Sequence, residues 1–462
     1  MELSQWQPDT VSDVEWKAYM QELLSGGNNE PFYDSAELSL HEDAFFNDTT
    51  ILSLLDNTWR TPKVPSDFLK DKSNWRRFWK KHAISSDEKL FQEFILKRQG
   101  VVSGSILREL PAPSPLSGPE ADPVSGRKYA ILASSDMHTL AERLVVSAPE
   151  RFSYYVSKWR KFPDGTDNIT LGGFDPDKNG GVDRITGKDV LFLASFHNNE
   201  STMSQLHALT FLCDSAFLNS LTILLAYLPT GTMERYLQPG RVPAANTTAK
   251  LLSQLPATGG KKTRVMIYDV HAPPTQYFFT GSTACTLHTA CPLAVSRIAE
   301  MPEEERINCI AFPDDGAAKR FSKFFSKHLK GIEIVVCSKI RTKEGNQRLV
   351  VIADGDPFEK RVLVMDDLVQ TGGTLYECAV ALKKSGATSV IGFATHAVFP
   401  DQSWKRFLTT GDRGVFDSFW LTNSNPTACE EIPAGDVFEA LDLTPRIVRD
   451  LILEPCGRGT MS

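Results

Sequence analysis

The chain has 462 residues, with 50 Lys and Arg against 57 Asp and Glu, a formal net charge of -7 and 41% hydrophobic residues. That length exceeds one ordinary domain, and the near-average composition excludes a fibrous or wholly disordered protein. The acidic balance excludes a protein that wraps nucleic acid, which needs excess cations on phosphates, and no apolar run reaches the roughly 20 residues that span a bilayer.

In chain order, the N-terminus opens MELSQWQPDTVSDVEW, an acidic start that resembles neither a signal peptide nor an Arg-rich transit peptide, so a cytoplasmic location is expected. Residues 1–109 read as an N-terminal extension without assigned chemistry. Its WRRFWKKH cluster is read as a helix that docks its rings on the body while its cations stay wet, in preference to a nucleic-acid contact. Residues 110–126, LPAPSPLSGPEADPVSG, form a Pro-rich linker that cannot propagate a helix or a strand ladder. The eight cysteines all lie past residue 212 without a CxxC pair, which fits free thiols in a reducing compartment rather than a zinc or disulfide framework.

From residue 127 short β-rich apolar runs alternate with helical periods, the pattern of βαβ units around parallel sheets. Two α/β domains are expected, at 127–277 and 278–425, followed by a C-terminal segment, 426–462, packing on the body. In the insertion GGFDPDKNGG, DPDKNGG lacks the closing Glu of an EF-hand and reads as a surface turn.

Four segments carry chemistry. RVMIYDVH sets Asp269 and His271 just past a strand, and INCIAFPDD does the same for Asp314 and Asp315. A neutral imidazole and a carboxylate at neighbouring strand ends suit Mg²⁺ carried on a nucleotide, with phosphate and water completing its shell. IEIVVCSKIRTKEG ends a strand in a basic loop whose Lys339 and Arg341 can neutralise a moving diphosphoryl group.

RVLVMDDLVQTGGTLYECAVALKKSG is the strongest signal. A strand ends in Asp366 and Asp367, expected to be exposed, and a short loop carries Gln370, Thr371, Gly372, Gly373 and Thr374. A helix follows with Leu375, Cys378, Ala379 and Leu382 on one face and Gly386 as its C-terminal stop. Glycines admit a phosphate to the helix start, and the two acids suit a vicinal diol, which together describe ribose 5-phosphate. No Walker A lysine is present.

The DDLVQTGGT segment resembles the PRPP (phosphoribosyl diphosphate) loop of the type I phosphoribosyltransferase fold. With LASF, LPTGTMER, YDVHA, FPDDGAAKRF and THAVFPDQSWKRF, the likeness over about residues 128–443 is to ribose-phosphate diphosphokinases of the plant-type, phosphate-independent class. The resemblance implies two tandem phosphoribosyltransferase-like domains, Mg²⁺, the substrates ATP and ribose 5-phosphate, and a homo-oligomer. It further implies metal and ATP contacts at His271 and Asp314, a catalytic flexible loop at Lys339 and Arg341, a ribose 5-phosphate loop from Asp366 to Thr374, and an adenine-receiving loop at Phe162 and Asp164. Arg235 is implied on the ATP side, although Glu234 and Arg235 stand where bacterial and animal-type members carry Arg-Gln-Asp. Two other readings use the same loop: a phosphoribosyltransferase that consumes PRPP, and a non-catalytic regulatory homologue.

Overall fold

The structure, a computed structural model, describes residues 105–113, 128–175, 182–235, 238–341, 348–408 and 414–453. All belong to one compact unit, Gly104–Ser462. The WRRFWKKH cluster lies outside the described residues, as do most of the Pro-rich linker and the DPDKNGG turn.

In chain order the strands are β1 (Tyr129–Ala133), β2 (Phe152–Tyr154), β3 (Lys158–Lys161), β4 (Asp167–Thr170), β5 (Phe174–Asp175), β6 (Val182–Asp183), β7 (Asp189–Leu193), β8 (Ser220–Leu225), β9 (Thr263–Tyr268), β10 (Thr283–His288), β11 (Cys309–Phe312), β12 (Glu333–Arg341), β13 (Arg348–Asp354), β14 (Arg361–Val369), β15 (Ser389–Ala397), β16 (Ser418–Thr422) and β17 (Phe438–Leu441). The α-helices are α1 (His138–Ser147), α2 (Asn199–Ser215), α3 (Ala244–Ser253), α4 (Cys291–Glu300), α5 (Asp315–His328), α6 (Gly373–Lys384), α7 (Pro426–Glu431) and α8 (Thr444–Leu453).

Two sheets form. The first runs β10-β9-β8-β7-β1-β2 and is parallel throughout. The second runs β13-β12-β11-β14-β15-β16-β17 and is parallel except for the antiparallel β12/β13 pair. Helices cover both faces of parallel strands, so their runs are apolar without alternation, and every residue of β9 is buried. The helix starts follow capping chemistry: the side chains of Asn198 and Asp314 accept the amides of Ser201 and Ala317, at 2.8 and 2.9 Å.

The two sheets share one core. Ile131, Leu193 and Met266 of the first and Phe312, Met365 and Phe393 of the second meet around α4, α5 and α8. Fully burying each such side chain is worth about 1.5–3 kcal/mol, so the halves are held as one body. A buried hydrogen bond from the Tyr268 hydroxyl in β9 to Asp450 in α8, at 2.9 Å, adds a directional link.

Several sequence boundaries move. The first sheet does not stop at residue 277: β10 pairs with β9 in register from Thr283↔Thr263 to His288↔Tyr268, because β9 would otherwise expose an unpaired edge. The segment 426–462 does more than pack on the body, since β17 extends the second sheet alongside β16. Residues 105–110 belong to the body rather than to the extension: Ile106, Leu107 and Leu110 are buried in the second-sheet core, and the Ile106 amide donates to Ile432 O at 3.0 Å.

Candidate active site

The site lies where the carboxyl end of β9 from the first sheet meets those of β11 and β14 from the second. Strand β14 delivers Asp366 and Asp367 three and two residues before its end at Val369. They were expected to be exposed, but Asp367 is buried, with 1% of its side chain accessible, because partners from two other elements close over it. His271, past the end of β9, donates from Nδ1 to Asp367 Oδ2 at 2.9 Å. Since an ionised carboxylate only accepts, the proton sits on Nδ1 and a neutral ring keeps a lone pair on Nε2. Arg320 of α5 completes the group. Its Nη2 lies 2.6 Å from Asp367 Oδ1 and 3.3 Å from Asp366 Oδ1, and its Nη1 donates to His271 O at 2.6 Å.

These contacts divide the acids electrically. Burial and the adjacent Asp367 charge push Asp366 well above the usual carboxylate range. Burial also opposes ionisation of Asp367, but the His271 hydrogen bond and the Arg320 charge outweigh it and hold that carboxyl well below its usual value. The same hydrogen bond raises His271. Asp367 therefore contributes stability that is full above about pH 4 and lost as the pH falls; His271 contributes stability that is full below about pH 6.5 and lost as the pH rises through its folded value. We expect the urea midpoint gap between wild type and Asp367→Asn to be widest in that window and to narrow below pH 4, which a denaturation series from pH 3 to pH 8 measures.

The Gly-rich turn into α6 follows at once. Gly372 adopts φ +73° and caps α6, whose first amides have no intrahelical acceptor and whose dipole is positive there. A Cβ on Gly372 would lie 2.4 Å from the Phe407 ring, and one on Gly373 would lie 3.2 Å from Arg406 Nη1. Arg406 thus sets a cation beside the helix start. It is carried on the 3-10 segment Pro400–Phe407, entered through left-handed Phe399, Asp401 and Gln402, and Ser403 Oγ donates to Gln370 O at 3.3 Å. Non-glycine residues in that region cost about 1–3 kcal/mol each. Gly372→Ala is expected to weaken anion binding at the α6 start at least tenfold, because it adds both a clash and backbone strain; titration of wild type and variant with inorganic phosphate checks this.

The remaining expected residues divide. Leu375, Cys378, Ala379 and Leu382 form the buried face of α6, and Gly386 takes φ +88° after it. Arg235 and His271 line one cleft of about 250 Å³, together with Thr232, Met233, Glu234, Arg241 and Val242. Asp314 lies just past β11, where one carboxylate oxygen caps α5. Lys339 is exposed on β12; Arg341 ends that strand, and its side chain lies outside the described residues. Phe162 and Asp164 are not among the cleft residues: they sit at the turn of the β3/β4 hairpin, where Asp164 accepts from the Thr166 amide at 2.9 Å. Among the described residues no three or more His, Cys, Asp or Glu side chains gather into a metal site.

Sequence reasoning missed Arg320 and Arg406, and it missed what Asp269 does. Asp269 is buried at φ +35°, and its carboxylate accepts from Ala290 N at 2.8 Å and Thr395 Oγ1 at 2.6 Å, which pins the turn that presents His271.

No protein-family profile matches the chain. The chain is 35% identical over 358 residues to ribose-phosphate pyrophosphokinase 3, chloroplastic, of Oryza sativa subsp. japonica, covering 76% of this chain and 83% of that protein. It is 37% identical over 328 residues to ribose-phosphate pyrophosphokinase 4 of the same plant, covering 70% and 96%. The crystal structure of phosphoribosylpyrophosphate synthetase from Mycobacterium smegmatis superposes with a TM-score of 0.56 at 22% identity, over 70% of this chain and 98% of that one, which shows the shared two-sheet phosphoribosyltransferase-like fold. At 35% and 37% identity over more than two thirds of its length, and on the same fold, the chain belongs to the ribose-phosphate pyrophosphokinase family.

Proposed function

We propose that this protein is a ribose-phosphate diphosphokinase, which transfers the diphosphoryl group of ATP to the 1-hydroxyl of ribose 5-phosphate to give PRPP and AMP. The observation that carries the reading is the 2.9 Å hydrogen bond between His271 and Asp367. It joins the strand tip beside the cleft to the ribose-phosphate loop, so a nucleotide and a sugar phosphate held there face each other.

In this reading the α6 amides, Thr371 and Thr374 hold the 5-phosphate, and the acid pair serves the ring hydroxyls: Asp366, the more accessible acid, receives them, while Asp367, closed over by Arg320 and His271, fixes the group that presents Asp366. The sugar 1-oxygen attacks the β-phosphorus of ATP, the bond from that phosphorus to the α,β-bridging oxygen breaks, and AMP leaves with the electron pair. The 1-hydroxyl proton is released. Lys339 and Arg341, on the strand pair β12/β13, neutralise the group in transit. Arg235 and His271 serve the ATP side. Phe162 and Asp164 serve a neighbouring subunit's adenine, a role that suits their exposed hairpin turn and a homo-oligomeric enzyme.

The donor set fits Mg²⁺ that arrives with ATP. Asp367 and Asp366 are engaged by Arg320, which leaves His271 and the second oxygen of Asp314 as protein ligands, and Mg²⁺ prefers to complete its shell with phosphate oxygens and water. Bound there, the ion would screen charge on the triphosphate.

No helix among the described residues is long and apolar enough to cross a membrane. Purified protein with Mg²⁺, ATP and ribose 5-phosphate is expected to form AMP and PRPP in equal amounts. Conversion of PRPP and a free base to a nucleotide, without AMP formation from ATP, would favour a phosphoribosyltransferase instead.

A further inference from the structure

We infer that Arg320 is a positioning residue for diphosphoryl transfer, a single guanidinium that sets the spacing between the nucleotide side and the sugar side of the site. The inference rests on the diphosphokinase reading and deepens it. Arg320 projects from α5 of the second-sheet half, yet its two Nη atoms serve different halves of the molecule. Nη1 donates to the backbone oxygen of His271 at 2.6 Å and approaches that residue's ring nitrogen at 3.3 Å, while Nη2 reaches Asp367 Oδ1 at 2.6 Å and Asp366 Oδ1 at 3.3 Å.

Three features make this more than an ordinary surface ion pair. Only 14% of the Arg320 side chain is accessible and 1% of its partner Asp367, so water competes little for either. The guanidinium lies 5.2 Å from the Phe321 ring centroid, a contact that fixes its plane. Its partners lie on both substrate sides: His271 is assigned to the nucleotide and Asp366, held beside Asp367, to the ribose hydroxyls. A planar fork can hold both at a fixed separation, whereas an ammonium supplies a point charge that cannot span them. A transfer between two bound reactants depends steeply on that separation, and displacement by about 1 Å can cost on the order of 10²-fold in rate.

The test compares wild type, Arg320→Ala and Arg320→Lys for PRPP formation, for thermal unfolding, and for response to added guanidinium at millimolar concentration. Arg320→Ala is expected to lose about 10²-fold in kcat and to regain at least tenfold with guanidinium but not with methylammonium, a recovery that a merely structural role would not give. Arg320→Lys is expected to fold and still lose about tenfold, and it carries the test should the alanine variant not fold. Near-wild-type kcat in a folded variant, a loss that guanidinium leaves untouched, or failure of both variants to fold would each overturn the inference. Wild type, assayed in parallel, separates the two ideas: absence of PRPP there defeats the diphosphokinase reading, while normal wild-type turnover with indifferent Arg320 variants defeats only this inference.

Discussion

Lys339→Ala is expected to lower kcat for PRPP formation about 10²- to 10³-fold while leaving the urea midpoint within experimental scatter. The asymmetry comes from where Lys339 sits. β12 pairs with its parallel neighbour β11 only as far as Val336, opposite Phe312; from Cys337 to Arg341 it pairs only with β13, after a register shift between Val336 and Cys337. This stretch is therefore a two-stranded arm that outruns the parallel part of the sheet, and Lys339 is exposed on it, opposite Val350. Loss of an exposed charge changes stability by about 0.5 kcal/mol or less. Loss of a preorganised cation aimed at developing charge costs about 2.7–4 kcal/mol of transition-state stabilisation. Initial rates and equilibrium unfolding on the same preparation check both halves of the expectation. Wild-type turnover in Lys339→Ala would remove the arm from the mechanism.

Asp367→Ala should damage fold and function together. Its carboxylate is the shared acceptor of Arg320 and His271, all but inaccessible to water. Removing one member of a buried ion pair leaves the other charge uncompensated, at a cost of about 3–5 kcal/mol. Asp366 loses the neighbour and the Arg320 geometry that present it to the sugar hydroxyls, so the KM for ribose 5-phosphate should rise by roughly tenfold or more in whatever fraction stays folded. Calorimetry and saturation kinetics separate the two losses. A variant as stable as wild type would show that the Arg320 and His271 contacts contribute little.

Much of the site was legible in the sequence because its signals are local. A β-rich run ending in paired acids, two glycines and a helical period need only neighbours in the chain to be recognised, and Gly372 and Gly386 both take the positive φ that such positions require. Arg320 was not legible for the opposite reason. It reaches His271 across 49 residues and Asp366 across 46, and nothing near Arg320 in the chain marks a helical arginine as the bridge between two sheets. Arg406 depends in the same way on a strained turn that brings it back over the phosphate loop.

The misplaced boundary at residue 277 has a physical cause too. β10, TACTLH, is an edge strand with only Thr283 and His288 buried, so it lacks the continuous apolar run that marks β9 beside it. The depth of Asp367 was misjudged because acids at a strand end are ordinarily solvated. Here a guanidinium and an imidazole from separate elements replace the water.

The most direct measurement of the central claim follows the terminal phosphate. With ATP labelled by ³²P at the γ-position, Mg²⁺ and ribose 5-phosphate, label is expected to move intact into PRPP while AMP accumulates unlabelled in equal amount. Label recovered only as inorganic phosphate, or a sugar product carrying a single transferred phosphoryl group, would contradict diphosphoryl transfer by this protein.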